Sequence, residues 1–189
     1  MHRQMQRLRA LEHRDQQAIL EVYRQAVERC PAELYSPQQR HAWARQAARG
    51  AEGDALRAIL QRGRGLVYSN GNGEVAAFAV REPVDRVALL YCHPAHQRQG
   101  YGSALLQEIT RQATAEGLPQ LRTEASFLSF RLFEREGWQH CWREELLIHG
   151  VRFRRFRMRK PLQPILEPWQ KHSSSNSSTR CGNSMPSSP

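Results

Sequence analysis

The stretch Val87-Ala88-Leu89-Leu90-Tyr91-Cys92-His93-Pro94-Ala95-His96-Gln97-Arg98-Gln99-Gly100-Tyr101-Gly102, running on through Ser103-Ala104-Leu105-Leu106 to Glu116, decides the fold. Its first six residues are an unbroken apolar run, which reads as a buried strand closed by His93 and Pro94. After the glycines, Ala104, Leu105, Ile109 and Ala113 recur at helical spacing, and Gly117 with Pro119 ends that helix. The unit is strand, glycine turn, helix. A helix N-terminus presents unpaired N–H groups and a partial positive charge, so it suits a phosphate. Gly100 and Gly102 let backbone approach a ligand or adopt positive φ, and Arg98 adds a cation. The same residues would also serve as an ordinary tight turn.

Two other glycine motifs fail on detail. A dinucleotide fingerprint needs a small residue three after the second glycine, where Leu105 stands. A P-loop needs Gly-Lys-Ser/Thr, and the only lysines are Lys160 and Lys171. The Gln97-x-x-Gly100-x-Gly102 spacing after a strand resembles the acetyl-CoA loop of the GNAT superfamily of N-acetyltransferases. Further quotations resemble its YafP-like bacterial branch: Tyr35-Ser36-Pro37-Gln38-Gln39 with Ala42-Trp43, Glu124-Ala125-Ser126 with Leu132-Phe133-Glu134-Arg135-Glu136-Gly137-Trp138, and Gly150-Val151 through Phe156-Arg157-Met158-Arg159-Lys160-Pro161.

The resemblance covers Leu8 to Leu162. It implies an α/β fold, with a mixed, mostly antiparallel sheet flanked by helices and the cofactor loop between the fourth strand and the following helix. It also implies acetyl-CoA as cosubstrate. Leu90, Tyr91 and Cys92 match the strand beside pantetheine, and Arg98, Gln99, Gly100, Tyr101, Gly102 and Ser103 match the pyrophosphate loop. Ser126 stands where many members place an asparagine on the pantetheine arm. Many also have a tyrosine at the position of Phe133, where it protonates the departing thiolate, and the YafP-like branch tends to have an acid at the position of Ala88. Neither is present here.

The remaining chain fits that order. Leu8–Leu11 reads as a short strand. Ala18, Ile19, Val22, Tyr23, Ala26 and Val27 form a helical face before Pro31. Ser36-Pro37-Gln38-Gln39 carries an N-cap, a first-turn proline and a glutamine three after the cap. Asp54–Gln61 reads as a short helix, and Leu66–Tyr68 with Val75–Val80 as strands about the turn Asn70-Gly71-Asn72-Gly73. Leu121–Ser126 is a strand, Phe127–Glu136 a helix, and Trp138–Ile148 with Val151–Met158 a hairpin about His149-Gly150. In that hairpin Glu145 falls opposite Arg154 and Glu144 opposite Arg155. The arginine run therefore reads as a solvated sheet edge more than as a nucleic-acid patch.

The 189 residues carry 28 Lys+Arg against 18 Asp+Glu, a net charge of +10. No zinc-finger, RNA-recognition or zipper pattern accompanies that charge. Cys30, Cys92, Cys141 and Cys181 form no CxxC pair, so no metal is expected, and Cys92 and Cys141 read as small buried residues. The basic start has no apolar core and no run is long enough to span a membrane, so the expected location is cytoplasmic. Residues 1–162 read as the domain, and 163–189, rich in Ser and Pro, as a disordered tail.

For chemistry, Glu124 is the candidate base, since residues 122, 124 and 126 share a strand face; it could equally pair with an arginine such as Arg122 or Arg131. Tyr91 is a second candidate, as acid or water-positioner, or a packed aromatic. Partners are acetyl-CoA and an amine acceptor held by the first two helices with Tyr35 and Trp43; a homodimer through the hairpin stays open. The rival functional reading is a GNAT-like module that binds CoA without catalysis.

Overall fold

In the computed structural model, residues 7–48 and 50–162 are described. The tail assigned to 163–189 lies outside them. Strand β1 is Arg7–Ala10, followed by α1 (Gln16–Glu28), α2 (Pro37–Ala44) and α3 (Asp54–Arg62). Strands β2 (Arg64–Ser69), β3 (Val75–Arg81) and β4 (Arg86–Cys92) lead to α4 (Tyr101–Ala115). Strand β5 (Gln120–Ala125), helix α5 (Phe130–Arg135) and the hairpin β6 (Gln139–Ile148) and β7 (Val151–Pro161) complete the order. They form one seven-stranded sheet in the order β1-β2-β3-β4-β5-β7-β6, antiparallel except where β4 meets β5.

Both sheet faces are covered. Leu105, Leu106, Ile109 and Ala113 of α4 pack with Leu121, Phe133 and Met158 on one face. Ile19, Val22, Tyr23 and Val27 of α1 pack with Leu56 and Leu60 of α3 and with Val67, Phe78 and Val80 on the other. The start signals of α2 act together: the Gln39 N–H donates to Ser36 Oγ at 3.2 Å, and the Ser36 N–H donates to Gln39 Oε1 at 3.0 Å. Gln39 Nε2 also reaches Arg152 O at 2.9 Å, tying α2 to β7.

The register of β4 positions the site. Val80 pairs with Leu89 but Arg81 pairs with Val87, so Ala88 is an extra residue, a bulge. Val87 and Leu89, two apart, would share a face in a regular strand. Here Val87 joins the α4 core and Leu89 the α1 core. Past the bulge β4 leaves β5: the two pair only at Arg86–Arg122 and Val87–Thr123. The apolar run is therefore a strand open along one edge rather than fully buried.

Two other readings need correction. Helix α5 begins at Phe130, not Phe127, because the Ser126 N–H donates to Ser129 Oγ and the Ser129 N–H to Ser126 Oγ, at 3.0 and 3.2 Å, closing a turn first. Cys141 is exposed, not buried: it is the unpaired residue of a bulge between His140 and Trp142 on the edge strand β6. The hairpin register is as expected, with Glu145 opposite Arg154 and Glu144 opposite Arg155.

Candidate active site

The parting of β4 and β5 opens a cavity of about 620 Å³, within the range of small-molecule sites. One bank is Val87, Ala88, Leu90, Tyr91 and Cys92; the other is Thr123, Glu124 and Ser126. The turn residues Arg98, Gly100, Tyr101, Gly102 and Ser103 close one end. Of the site residues expected from sequence, Gln99 alone does not line it; its Oε1 accepts from the Tyr101 hydroxyl at 2.9 Å. Tyr101 turns its ring inward onto Tyr68, with centroids 4.4 Å apart, so backbone is what it offers the cavity.

The turn is built to leave donors free. Its backbone is left-handed at Arg98 (φ 64) and at Gly100 (φ 84). The first helical bond to close is the Ala104 N–H to Gly100 O at 3.0 Å. The N–H groups of Tyr101, Gly102 and Ser103 thus stand ahead of the ladder, beside the cavity. A Cβ on Gly100 would meet no protein atom within 4 Å, so the constraint there is φ and whatever occupies the cavity. A Cβ on Gly102 would come within 2.8 Å of Leu132 Cδ2, so that glycine answers to packing against α5.

Alternation along β4 picks out two further donors, at Cys92 and Leu90. The His93 N–H bonds back across the sheet to Ala76 O at 2.8 Å. Backbone groups alternate in direction along a strand, so the N–H groups of Cys92 and Leu90 point the other way, into the gap. Among the described residues no helix is long and apolar enough to cross a membrane, and no group of three His, Cys, Asp or Glu could hold a metal.

Glu124 reaches the cavity, but its carboxylate is engaged at both oxygens. Arg86 Nε donates to Oε2 at 2.8 Å and Arg157 Nη1 donates to Oε1. Those partners differ from the Arg122 and Arg131 weighed from sequence; Arg122 pairs with Asp85 and Arg131 with Glu134. Tyr91 packs against Tyr23 and stacks on Phe78, with centroids at 4.5 and 5.6 Å. Burial raises its phenol well above the usual value, so it stays protonated at neutral pH. Burial likewise pushes the thiols of Cys30 and Cys92, both on the cavity wall, up to about 11, which keeps them inert.

Sequence reasoning did not reach Ser129, just before α5, or Arg131, Leu132 and Arg135, which α5 brings to the cavity, nor Ala26 and Val27 of α1 and Cys30 just after it. A pair of arginines four apart on a short helix beside the glycine turn was the available signal. Trp43 lines the cavity; Tyr35, its neighbour at 5.1 Å, lines a second one. His96 lines the first and meets Asn70 Nδ2 at 3.3 Å.

A glycine turn follows a bulged strand whose parallel neighbour splays away, and the sheet that carries them is the α/β GNAT fold. Residues 61–140 match the family model for the acetyltransferase (GNAT) domain. Over those residues the chain carries a GNAT acetyltransferase domain, the domain of an acyltransferase. The whole sheet is also similar to solved structures. A GCN5-related N-acetyltransferase from Rhodopseudomonas palustris is 26% identical with a TM-score of 0.76, over 86% of this chain and 99% of that one. The PaiA N-acetyltransferase from Thermoplasma acidophilum, solved with coenzyme A, is 18% identical with a TM-score of 0.63, over 83% and 99%. The acetyltransferase YncA from Salmonella typhimurium, solved with acetyl-CoA, is 23% identical with a TM-score of 0.58, over 87% and 98%. No curated protein matches the chain.

Proposed function

We propose that this protein transfers the acetyl group of acetyl-CoA to a primary amine by direct attack in a ternary complex. The observation that carries the reading is the parting of β4 from β5 at Ala88, which leads straight into the free N–H groups at the start of α4. The residues present fit CoA: the turn from Arg98 to Ser103 would hold the pyrophosphate, Leu90 to Cys92 and Ser126 would flank the pantetheine arm, and Arg98, Arg131 and Arg135 supply cations on the cavity wall. The fit to the YafP-like branch rests on the three quoted segments.

Bound acetyl-CoA supplies the thioester. The N–H groups of Leu90 and Cys92 are the strand donors that would meet the carbonyl oxygen as it gains charge. Phe133 has no hydroxyl, so the Ser126–Ser129 pair, whose Oγ atoms are 3.1 Å apart on the cavity wall, offers the leaving thiolate a hydrogen bond, and the sulfur takes through water the proton that the amine nitrogen sheds as the amide forms. Glu124, held between two guanidiniums, keeps Arg86 and Arg157 in place rather than taking the amine proton, and Tyr91 positions water as a neutral phenol. Holding both substrates removes much of the entropic barrier.

With no strong base, kcat/KM should climb about tenfold per pH unit between about pH 6 and 9, following the unprotonated fraction of an alkylamine with a pKa of about 10. A flat profile over that range, abolished by Glu124→Gln, would restore Glu124 as the base. The assignment itself is tested by thiol release from acetyl-CoA over an amine panel; a folded protein that binds acetyl-CoA and acetylates no amine would favour the non-catalytic CoA-binding reading.

A further inference from the structure

We infer that the acceptor carries a carboxylate as well as its amine, and that Arg152 and Arg154 receive it. This rests on the acetyl-transfer reading. A second cavity of about 320 Å³ is lined by Leu34, Tyr35, Gln39, Phe127, Arg152 and Arg154. It adjoins the first across a partition one residue thick. Phe127 borders the second cavity while its neighbours Ser126 and Leu128 border the first, and the Phe127 N–H donates to the Tyr35 hydroxyl at 3.1 Å. The cavity exists because β5 ends at Ala125, opposite Phe156, whereas β7 extends back to Val151. An acceptor whose carboxylate is held there has to carry its amine past Phe127 into the first cavity, so chain length matters.

Charge selects the acceptor. Arg152 and Arg154 share a single carboxylate, Glu145, at 3.4 and 2.9 Å, which leaves one positive charge over. Guanidinium forks of this kind bind carboxylates with directed, charge-assisted hydrogen bonds. The only acidic side chain lining either cavity is Glu124, and two arginines already neutralise it. A polyamine or aminoglycoside would find no unmatched anion for its second ammonium among the residues that line the two cavities, whereas an amino acid or a short acidic peptide would find a cation and, at Leu34 and Phe127, an apolar floor.

The test compares three acceptors that differ only at the far end: an n-alkylamine, its ω-carboxylate analogue and its ω-amino analogue, at several chain lengths. The full chain is used, with acetyl-CoA affinity measured by calorimetry alongside. At the best length the ω-amino acid should exceed the other two in kcat/KM about tenfold. The double variant Arg152→Gln/Arg154→Gln should raise its KM by about the same factor and erase that advantage. An equal or better diamine, or a double variant with unchanged KM, would overturn the inference. Absence of acetyl-CoA binding, or failure of all three acceptors with acetyl-CoA bound, would instead overturn the acetyl-transfer reading beneath it, and the inference with it.

Discussion

At the scale of single residues, the cavity shows how one backbone angle and one charge network set what each position tolerates. Gly100 sits at φ 84 with open space where a side chain would go. Gly100→Ala should therefore cost only the left-handed penalty, about 1–2 kcal/mol, and still bind acetyl-CoA. Gly100→Glu places an anion where the pyrophosphate is proposed to lie and should abolish binding in a calorimetric titration. Glu124 is 5% exposed between Arg86 and Arg157. Those arginines keep some contact with water, so Glu124→Gln should destabilise by about 2–3 kcal/mol, at or just below the 3–5 of a fully buried pair. Urea unfolding would show this. Neither partner of Glu124 was legible in the sequence, because Arg86 and Arg157 lie on strands that only the sheet order brings beside β5.

At the scale of elements, local signals were readable and register was readable only where a turn fixed it. The capping residues of α2 gave its start, and the two-residue turn at His149-Gly150 gave the pairing of Glu144 and Glu145 with their arginines. The bulge at Ala88 was not legible: it inserts one small apolar residue into an apolar run, with no Gly or Pro to mark it. Yet it turns Val87 and Leu89 to opposite faces and frees the edge of β4. Likewise Arg131 and Arg135 reach the cavity through the packing of α5 under α4, a tertiary effect. Ser36→Ala removes the cap of the helix that fastens to β7 through Gln39 and should lower stability by about 1 kcal/mol. If Gln39 also holds β7 for the acceptor, that variant should raise the acceptor KM more than the KM for acetyl-CoA.

At the scale of the whole molecule, arginine–carboxylate pairs that tie elements together predict its response to acid. Hydrogen bonds from Arg9, Arg122 and Arg81 hold Asp15, Asp85 and Glu116 below their usual values of 3.8, 3.8 and 4.5. The folded-state values are depressed, so this stabilisation is complete above the unfolded values and is lost as pH falls through the folded ones. The melting temperature should stay level from neutrality to about pH 5 and drop below about pH 4; a fall already at pH 6 would implicate histidines instead. The same two-sided packing that steadies the sheet leaves one edge of β4 unpaired, and the whole account depends on acetyl-CoA occupying that edge. Calorimetric titration of the full chain with acetyl-CoA, run beside the Gly100→Glu variant, tests this most directly. Micromolar binding that disappears in a folded Gly100→Glu protein is the predicted result; no binding to the wild type, or equal binding to the variant, would contradict it.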